Sequence, residues 1–379
     1  MKESGLLRGY NLIVMSDDWI GHPSSSKHLI RELLPYNSVL WLNTVGYRSL
    51  SLTAYDFERA FRKISGWFSK SHEKQTGNLK VLSPVCLPFG KSRLVRCLNS
   101  FCIVRAVRAH LNQGAKTIFI TTLPSAADIV GRLGEDYSVY YCFDDLTLWP
   151  GSDRELTCKL EKELLSKVDL VVATSEKLQK TRKNGVRQTF LLDHGVDLDH
   201  FRKVSPYKRP EGSVPTVAYF GLIDERCDLE LLSQVISKMR DVNFLIIGLK
   251  RVDCSSIELF PNVEFTGQIP YADLPDRLSR TSALILPYKL NALAESINPL
   301  KIKEYLATGL PVVSTPLPEV QRLSGFVSIA SEAAQFITAL RNALEGSSPP
   351  SADLDSYLAK NSWRQKASEF SAMIETLFS

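Results

Sequence analysis

Short apolar runs recur along this chain, each separated from the next by enough residues for one helix. The series starts afresh after a single Pro- and Gly-rich break. In the first half the runs are 10–15, 39–43, 81–83, 117–122, 139–143 and 170–174, with Tyr10-Asn-Leu-Ile-Val-Met15 the plainest. Continuous runs of this length read as strands buried on both faces, the pattern of a parallel sheet covered by helices. Helices are expected at 27–34, 94–112 and 156–167, with a helical insertion over 53–78. The break is Val204-Ser-Pro-Tyr-Lys-Arg-Pro-Glu-Gly-Ser-Val-Pro215, a linker by composition. After it come the runs 216–220, 243–247, 263–265, 283–286 and 312–314. Two alternating series joined by a hinge predict an α/β protein of two Rossmann-like domains facing a cleft, residues 1–208 and 209–355. The last segment, 356–379, reads as helix around Trp363. In open sheets of this kind, ligands bind beyond the carboxyl ends of the strands.

At 379 residues the chain is long enough for two domains that each bury a core. Its apolar fraction of 44% and charged fraction of 23% are those of a soluble enzyme. No run reaches the roughly 18 apolar residues of a membrane span. The polar start, Met1-Lys-Glu-Ser-Gly-Leu-Leu-Arg8, lacks the form of a signal peptide, so a cytoplasmic protein is expected. Seven scattered cysteines without a C-x-x-C pair argue for free thiols, most of them small buried hydrophobes, rather than disulfides or zinc. The net charge of +5 decides little, but the cations are unevenly placed. Arg59, Arg62, Lys63, Lys70, Lys74 and Lys80 cluster with Phe57, Phe61, Trp67 and Phe68, and Lys91, Arg93, Arg96, Arg105 and Arg108 follow. Such a surface is either a solvated helix face or an amphipathic face for anionic lipid. It fits no nucleic-acid motif, and no nucleic-acid partner is expected.

The chemistry concentrates in Glu295-Ser-Ile-Asn-Pro-Leu-Lys-Ile-Lys-Glu304-Tyr-Leu-Ala-Thr-Gly-Leu-Pro-Val-Val313. The pattern predicts a helix from Ile302 to Thr308, stopped by Gly309 and followed at once by a strand. Its N-terminus gathers free backbone N–H groups, Lys301 and, one turn in, the carboxylate of Glu304. Such an end can hold a diphosphate while the carboxylate takes sugar or ribose hydroxyls. A solvated helix face is the alternative. Upstream, Tyr219-Phe-Gly-Leu-Ile-Asp-Glu-Arg226-Cys-Asp228 puts Gly221 and Arg226 in a turn before a helix. Glycine there lets a phosphate approach the backbone, and a guanidinium can fork onto it. Arg226 can equally pair with Asp224 or Asp228. In the first half, Tyr140-Tyr-Cys-Phe-Asp144-Asp145 ends a strand with two carboxylates that point to opposite faces. One can act as a general base while the other caps a loop. The stretch Ser16-Asp-Asp-Trp-Ile-Gly21-His22-Pro-Ser-Ser-Ser26 offers Gly21, serine hydroxyls, His22 and a helix N-terminus to a phosphate or acceptor, His22 otherwise being exposed loop polarity.

From Asn298 to Val313 the chain resembles the donor-binding motif of GT-B glycosyltransferases of glycosyltransferase family 4, in particular bacterial polysaccharide and teichuronic-acid-type transferases. In that motif an acid, seven residues and a second acid precede a helix ending in Ala-x-Gly and a Pro-Val-Val strand. The second acid is Glu304; the first falls at Ser296, and Glu295 stands one residue early. Similar matches are the Gly-x-Ile-x-Glu-Arg-x-Asp pattern around Arg226, the strand Asn262-Val-Glu-Phe-Thr-Gly267, the Tyr-x-x-x-Asp-Asp ending at Asp145, and the turn Asp193-His194-Gly195-Val196-Asp197 before Phe201.

The resemblance implies a GT-B fold whose last helix packs back on the N-terminal domain, and a nucleotide-diphosphate sugar as co-substrate. Gly221, Arg226 and Lys301 would face the diphosphate, and Gly267, Gln268 and Ile269 the nucleobase, unless Gly267 only makes a turn. Ser296, Asn298, Pro299, Leu300 and Glu304 would complete the donor site, with Asp144, Asp145 and Glu304 as catalytic candidates. Since no D-x-D motif follows a strand, no essential metal is expected. The acceptor would be a glycan or polyprenyl-linked sugar in bacterial surface polysaccharide synthesis, met at the inner face of the membrane. A nucleotide-sugar epimerase or hydrolase of GT-B shape, or an inactive partner in a glycan-assembly complex, are the other classes open.

Overall fold

The computed structural model describes residues 5–21, 23–43, 74–84, 86–87, 91–111, 114–204, 210, 212–346 and 351–378. The chain divides into two compact units, Met1–Asp193 with Lys366–Ser379, and His194–Gln365. The division therefore falls before the Pro-rich stretch 204–215 and inside the terminal segment. Backbone bonds explain it: Val196 N donates to Asn361 O (2.9 Å), and Trp363 N donates to Val196 O (3.3 Å), which commits the 194–197 turn to the second unit.

Among the described residues, the first unit is built on eight strands: β1 (Asn11–Ser16), β2 (Ser38–Asn43), β3 (Lys74–Thr76), β4 (Leu79–Leu82), β5 (Thr117–Thr121), β6 (Tyr137–Cys142), β7 (Leu170–Ala173) and β8 (Gln188–Leu191). Their order is β3-β4-β2-β1-β5-β6-β7-β8. All pair in parallel except β3 with β4. Ile13, Leu40, Phe119, Tyr140 and Val171 of the sheet pack with Ile103 of the helix Arg93–Arg108 and with Leu160 and Leu164 of the helix Arg154–Leu165. The chain's last residues close this unit. Leu7 N donates to Ser371 Oγ (3.1 Å), and the Phe378 ring packs on Tyr10 (5.5 Å) and Tyr137 (4.9 Å).

Among its described residues, the second unit has six strands, β9 (Thr216–Phe220), β10 (Asn243–Ile247), β11 (Val263–Gly267), β12 (Ala283–Leu286), β13 (Val312–Ser314) and β14 (Ser328–Ile329). Their order is β11-β10-β9-β12-β13-β14, all parallel. Strand order reverses between β9 and β12, and such a switch point is where an open parallel sheet leaves a crevice at its carboxyl end.

Strands buried on both faces follow the sequence pattern, as at β9, β10 and β12. The expectation differs at the short or peripheral elements. Lys74–Thr76 is an edge strand, not helix, and β8 and β14 carry no long apolar run. The terminal segment is two helices, Ser351–Lys360 and Trp363–Glu375, broken where Asn361 turns its backbone carbonyl to Val196. Of the cysteines, Cys142, Cys227 and Cys254 are buried, but Cys97, Cys102 and Cys158 are exposed, contrary to the expectation that most lie in the core. Residues 53–73 of the expected insertion, with its aromatic residues and Arg59, Arg62, Lys63 and Lys70, and His22 lie outside the described residues. Among the described residues, no helix is long and apolar enough to cross a membrane.

Candidate functional site

At the switch point of the second unit, the turn after β9 and the loop after β12 are joined. Asp228 N donates to Pro287 O (2.8 Å), Lys289 N donates to Arg226 O (2.7 Å), and the Arg226 guanidinium lies 5.5 Å from the centre of the Tyr288 ring. The loop leads into the helix Leu300–Ala307, whose N-cap is Pro299. Proline there has no side chain to accept the first N–H groups, and the helix start carries no side-chain cap.

This helix is fixed at two points. The Tyr305 hydroxyl donates to Phe220 O (2.9 Å) and accepts from Phe220 N (3.1 Å), which ties it to the end of β9. Lys303, 2% exposed, donates from Nζ to His194 O (2.5 Å) and Asn361 Oδ1 (2.8 Å). Between these anchors, Lys301 reaches across the turn after β9. A Cβ on Gly221 would stand 1.6 Å from Lys301 Cε and 2.6 Å from Nζ, so the ammonium crosses the backbone at the bare glycine. Glu304, 9% exposed, has no hydrogen-bond donor among the described residues. Burial pushes its carboxyl up to about 7; the charge of Asp197 adds to this, while Lys301 opposes it. An uncapped helix start, a cation over a glycine turn and a buried carboxylate one turn in can together hold a phosphorylated, hydroxyl-bearing ligand.

Residues 214–346, which contain all of these groups except His194, Asp197 and Asn361, match the family model described as Glycosyl transferases group 1. Over 97% of the chain, and 99% of the other, the structure superposes on sucrose-phosphate synthase from Thermosynechococcus elongatus with a TM-score of 0.70 at 15% identity. The chain has the GT-B fold, and its residues 214–346 are similar to the group 1 glycosyl transferases. A second GT-B structure, Anabaena HepE in complex with UDP and glucose, aligns over 97% of this chain and 99% of its own, with a TM-score of 0.67 at 12% identity. In sequence, the chain is 27% identical over 184 residues to TuaH of Bacillus subtilis (strain 168), named provisionally as a teichuronic acid biosynthesis glycosyltransferase. That match takes in 45% of this chain and 46% of TuaH, about half the length of the curated relative.

Within this GT-B frame the expected donor residues divide. Lys301, Glu304, Pro299, Leu300 and Gly221 come together as described, with Asn298 buried just before the helix. Arg226 is engaged by Asp224, which is 2% exposed: Nε lies 2.9 Å from Oδ1 and Nη2 lies 2.7 Å from Oδ2. Much of its charge is thereby neutralised locally. Ser296 is fully buried and donates to Leu293 O (2.8 Å), whereas Glu295 is exposed. Gly267 ends β11 at φ +70°, its carbonyl accepting from Gly248 N (2.9 Å), with Gln268 exposed and Ile269 half-buried beyond it. Sequence reading gave Lys303, Tyr305 and Gly248 no separate part here, and took Asp197 only as part of a matching turn. Among the described residues, no group of three or more His, Cys, Asp or Glu side chains could hold a metal ion.

In the first unit, the paired acids after β6 separate in role. Asp145 meets Arg182 Nη2 at 3.0 Å and accepts from Thr147 Oγ1 (2.6 Å). Arg182 also forks onto Glu161, to which Tyr140 Oη donates (2.9 Å). Burial alone would raise the Asp145 carboxyl, but the Arg182 and Thr147 donors outweigh it and hold it below its ordinary value. A carboxylate so held is a poor proton acceptor; Asp144 beside it is half-buried. Replacing Asp145 by Asn is expected to cost about 2 kcal/mol in urea unfolding at neutral pH, since Arg182 loses one partner. That contribution is full above the ordinary carboxylate value of 3.8 and fades on acidification. Nucleotide binding should be unchanged in the variant. Behind β1, Ser24 and Ser26 hydrogen-bond to Asp17, whose other oxygen pairs with the fully buried Lys27 at 2.7 Å. The hydroxyls of Ser24 and Ser26 are thus engaged by Asp17.

Proposed function

We propose that the chain transfers a sugar from a nucleotide-diphosphate sugar to a hydroxyl of a glycan or polyprenyl-linked acceptor in surface polysaccharide synthesis. The observation that carries this reading is the Lys301 ammonium lying over Gly221 at an uncapped helix start, one turn from buried Glu304. In the transfer, the bond between the anomeric carbon and the diphosphate oxygen breaks, the acceptor oxygen forms the new glycosidic bond, and the acceptor's hydroxyl proton passes to the departing diphosphate. Negative charge then grows on the leaving diphosphate. Lys301 and the first N–H groups of the helix stabilise it, with Arg226 in a lesser share. Glu304 accepts hydroxyls of the ribose or donor sugar, and the backbone at Gly267, Gln268 and Ile269 meets the base. Asp144, in the first unit, binds the acceptor hydroxyl. The names of the relatives support the reading: HepE was solved with UDP and glucose, and TuaH is named for teichuronic acid biosynthesis.

The test is Lys301→Ala. It should lower kcat/KM by roughly a hundredfold or more, the scale of one lost contact to developing charge. The assay pairs a panel of nucleotide sugars with thermal-shift measurement of nucleotide binding, since a ligand bound to the folded state raises its apparent stability. Unaltered turnover in Lys301→Ala would remove it from the site. One feature favours an inactive glycan-assembly partner instead, namely Ser296 standing where the first acid would be, its hydroxyl spent on Leu293 O. Wild type that binds no nucleotide sugar would decide for that reading, and turnover without acceptor would decide for a hydrolase or epimerase.

A further inference from the structure

The helix Arg93–Arg108 is turned inside out along its first half. Arg96, Asn99 and Ser100 face inward, at 7%, 2% and 1% exposure, while Leu94, Leu98 and Phe101 stand out at 79%, 56% and 58%. The inward polar groups are used. Arg96 Nε lies 3.2 Å from Asp128 Oδ2, Ser100 Oγ donates to Asp128 O (2.9 Å), and Asn99 exchanges hydrogen bonds with the backbone of Leu87 (2.7 and 2.9 Å). The outward leucines and phenylalanine follow at i, i+4 and i+7, which lines them along one face. Among the described residues, the helix's core contacts are supplied by Ile103, Val104 and Val107 and not by these three. An exposed apolar stripe of this kind marks a contact surface.

Its charge says which kind. The helix, RLVRCLNSFCIVRAVR, contains no acidic residue. Arg93, Arg105 and Arg108 are exposed with the stripe, one at its start and two beyond Phe101. We propose that this face of the helix Arg93–Arg108 is a docking surface for an anionic lipid bilayer, with Leu94, Leu98 and Phe101 entering the headgroup boundary and the arginines lying on lipid phosphates. That is the arrangement by which an amphipathic helix lies on a membrane without crossing it. A second copy of the chain is a poorer occupant, since a symmetric contact through this face would set the same arginines against each other. The inference stands apart from the nucleotide-sugar reading and uses none of its residues.

The test is flotation of the full chain with vesicles of phosphatidylcholine alone and of phosphatidylcholine with phosphatidylglycerol. Binding is expected to the anionic vesicles, weakening as salt screens the arginines. The variant Leu94→Ser/Leu98→Ser/Phe101→Ser should bind at least about tenfold more weakly, as should Arg93→Glu/Arg105→Glu. All five side chains are exposed, so both variants should melt with wild type and keep the nucleotide-induced thermal shift. That control separates failure of the docking surface from failure of the donor site. Position is read from an environment-sensitive dye on exposed Cys97, with Cys86, Cys102 and Cys158 replaced by Ser. Its emission should move to the blue with anionic vesicles, whereas the dye on a Ser256→Cys variant lacking the other reactive cysteines should not respond. The proposal falls if anionic vesicles are not bound, if the variants bind as wild type does, or if the stripe substitutions abolish only a concentration-dependent dimer.

Discussion

Glu304→Gln is expected to cut sugar transfer at least about a hundredfold while making the unliganded protein more stable at pH 8. The two effects have one cause. Glu304 lies on the helix Leu300–Ala307, out of water and without a donor among the described residues, and burial first, then the charge of Asp197, pushes its carboxyl from the ordinary 4.5 up to about 7. As pH rises, the unfolded chain gives up this proton first. Between about 4.5 and 7 the native state therefore binds more protons than the unfolded state, and stability falls with pH across that window. Above it, the cost of a charged buried carboxylate is on the order of 3 kcal/mol. Glutamine keeps the shape and removes the charge, so its unfolding midpoint should be flat from pH 5 to pH 8 where that of wild type declines. Ligand hydroxyls donating to the carboxylate favour its ionised form. Nucleotide binding should then release a proton near pH 7, measurable by calorimetry in buffers of different ionisation enthalpy. A Gln variant with the pH profile and proton release of wild type would show that Glu304 is not the responsible group.

What sequence reading recovers here follows from where each feature's physical cause lies. Lys301 and Glu304 are legible because their setting, a helix start and its first turn, is local to one segment. Strands such as Asn243–Ile247 are legible because burial on both faces makes them uniformly apolar. The Arg182–Asp145–Glu161 network is not legible, since its members are scattered along the chain and meet only when β6, the helix Arg154–Leu165 and the segment after β7 assemble. Lys303 looks like a solvated helix lysine in sequence, yet its ammonium is buried between His194 and Asn361. The same two contacts account for the break in the terminal helix, because Asn361 gives its side chain to Lys303 and its carbonyl to Val196. The inside-out half of the helix Arg93–Arg108 escapes a pattern-based reading for a related reason. Its apolar spacing is that of a buried face, and only Asp128 and Leu87, elsewhere in the chain, reveal which side faces inward.

Alanine at Gly248 is expected to destabilise the second unit by at least about 3 kcal/mol, while alanine at Gly221 should leave it folded and disable the site. Both glycines sit at the carboxyl ends of neighbouring strands, at φ +151° and φ +144°. The difference lies in what a new Cβ meets. At Gly248 it would stand 1.7 Å from the carbonyl oxygen of Gly221. That carbonyl cannot retreat easily, because Gly221 N is bonded to Ile247 O (2.8 Å) and Gly248 N to Gly267 O (2.9 Å), so the collision would pry β9 from β10. At Gly221 the obstacle is the far end of Lys301, with Cε at 1.6 Å, and a flexible side chain can swing aside. The remaining cost to the fold is backbone strain of about 1–2 kcal/mol. Swinging aside, however, removes the ammonium from the place where a diphosphate would lie. Gly221→Ala should then lose nucleotide affinity nearly as far as Lys301→Ala does, and the double substitution should be little worse than either alone, the mark of two changes acting through one group. Urea unfolding and nucleotide titration of the four proteins measure both parts. Additive losses in the double variant would mean that Gly221 serves the ligand through its own backbone, independently of Lys301.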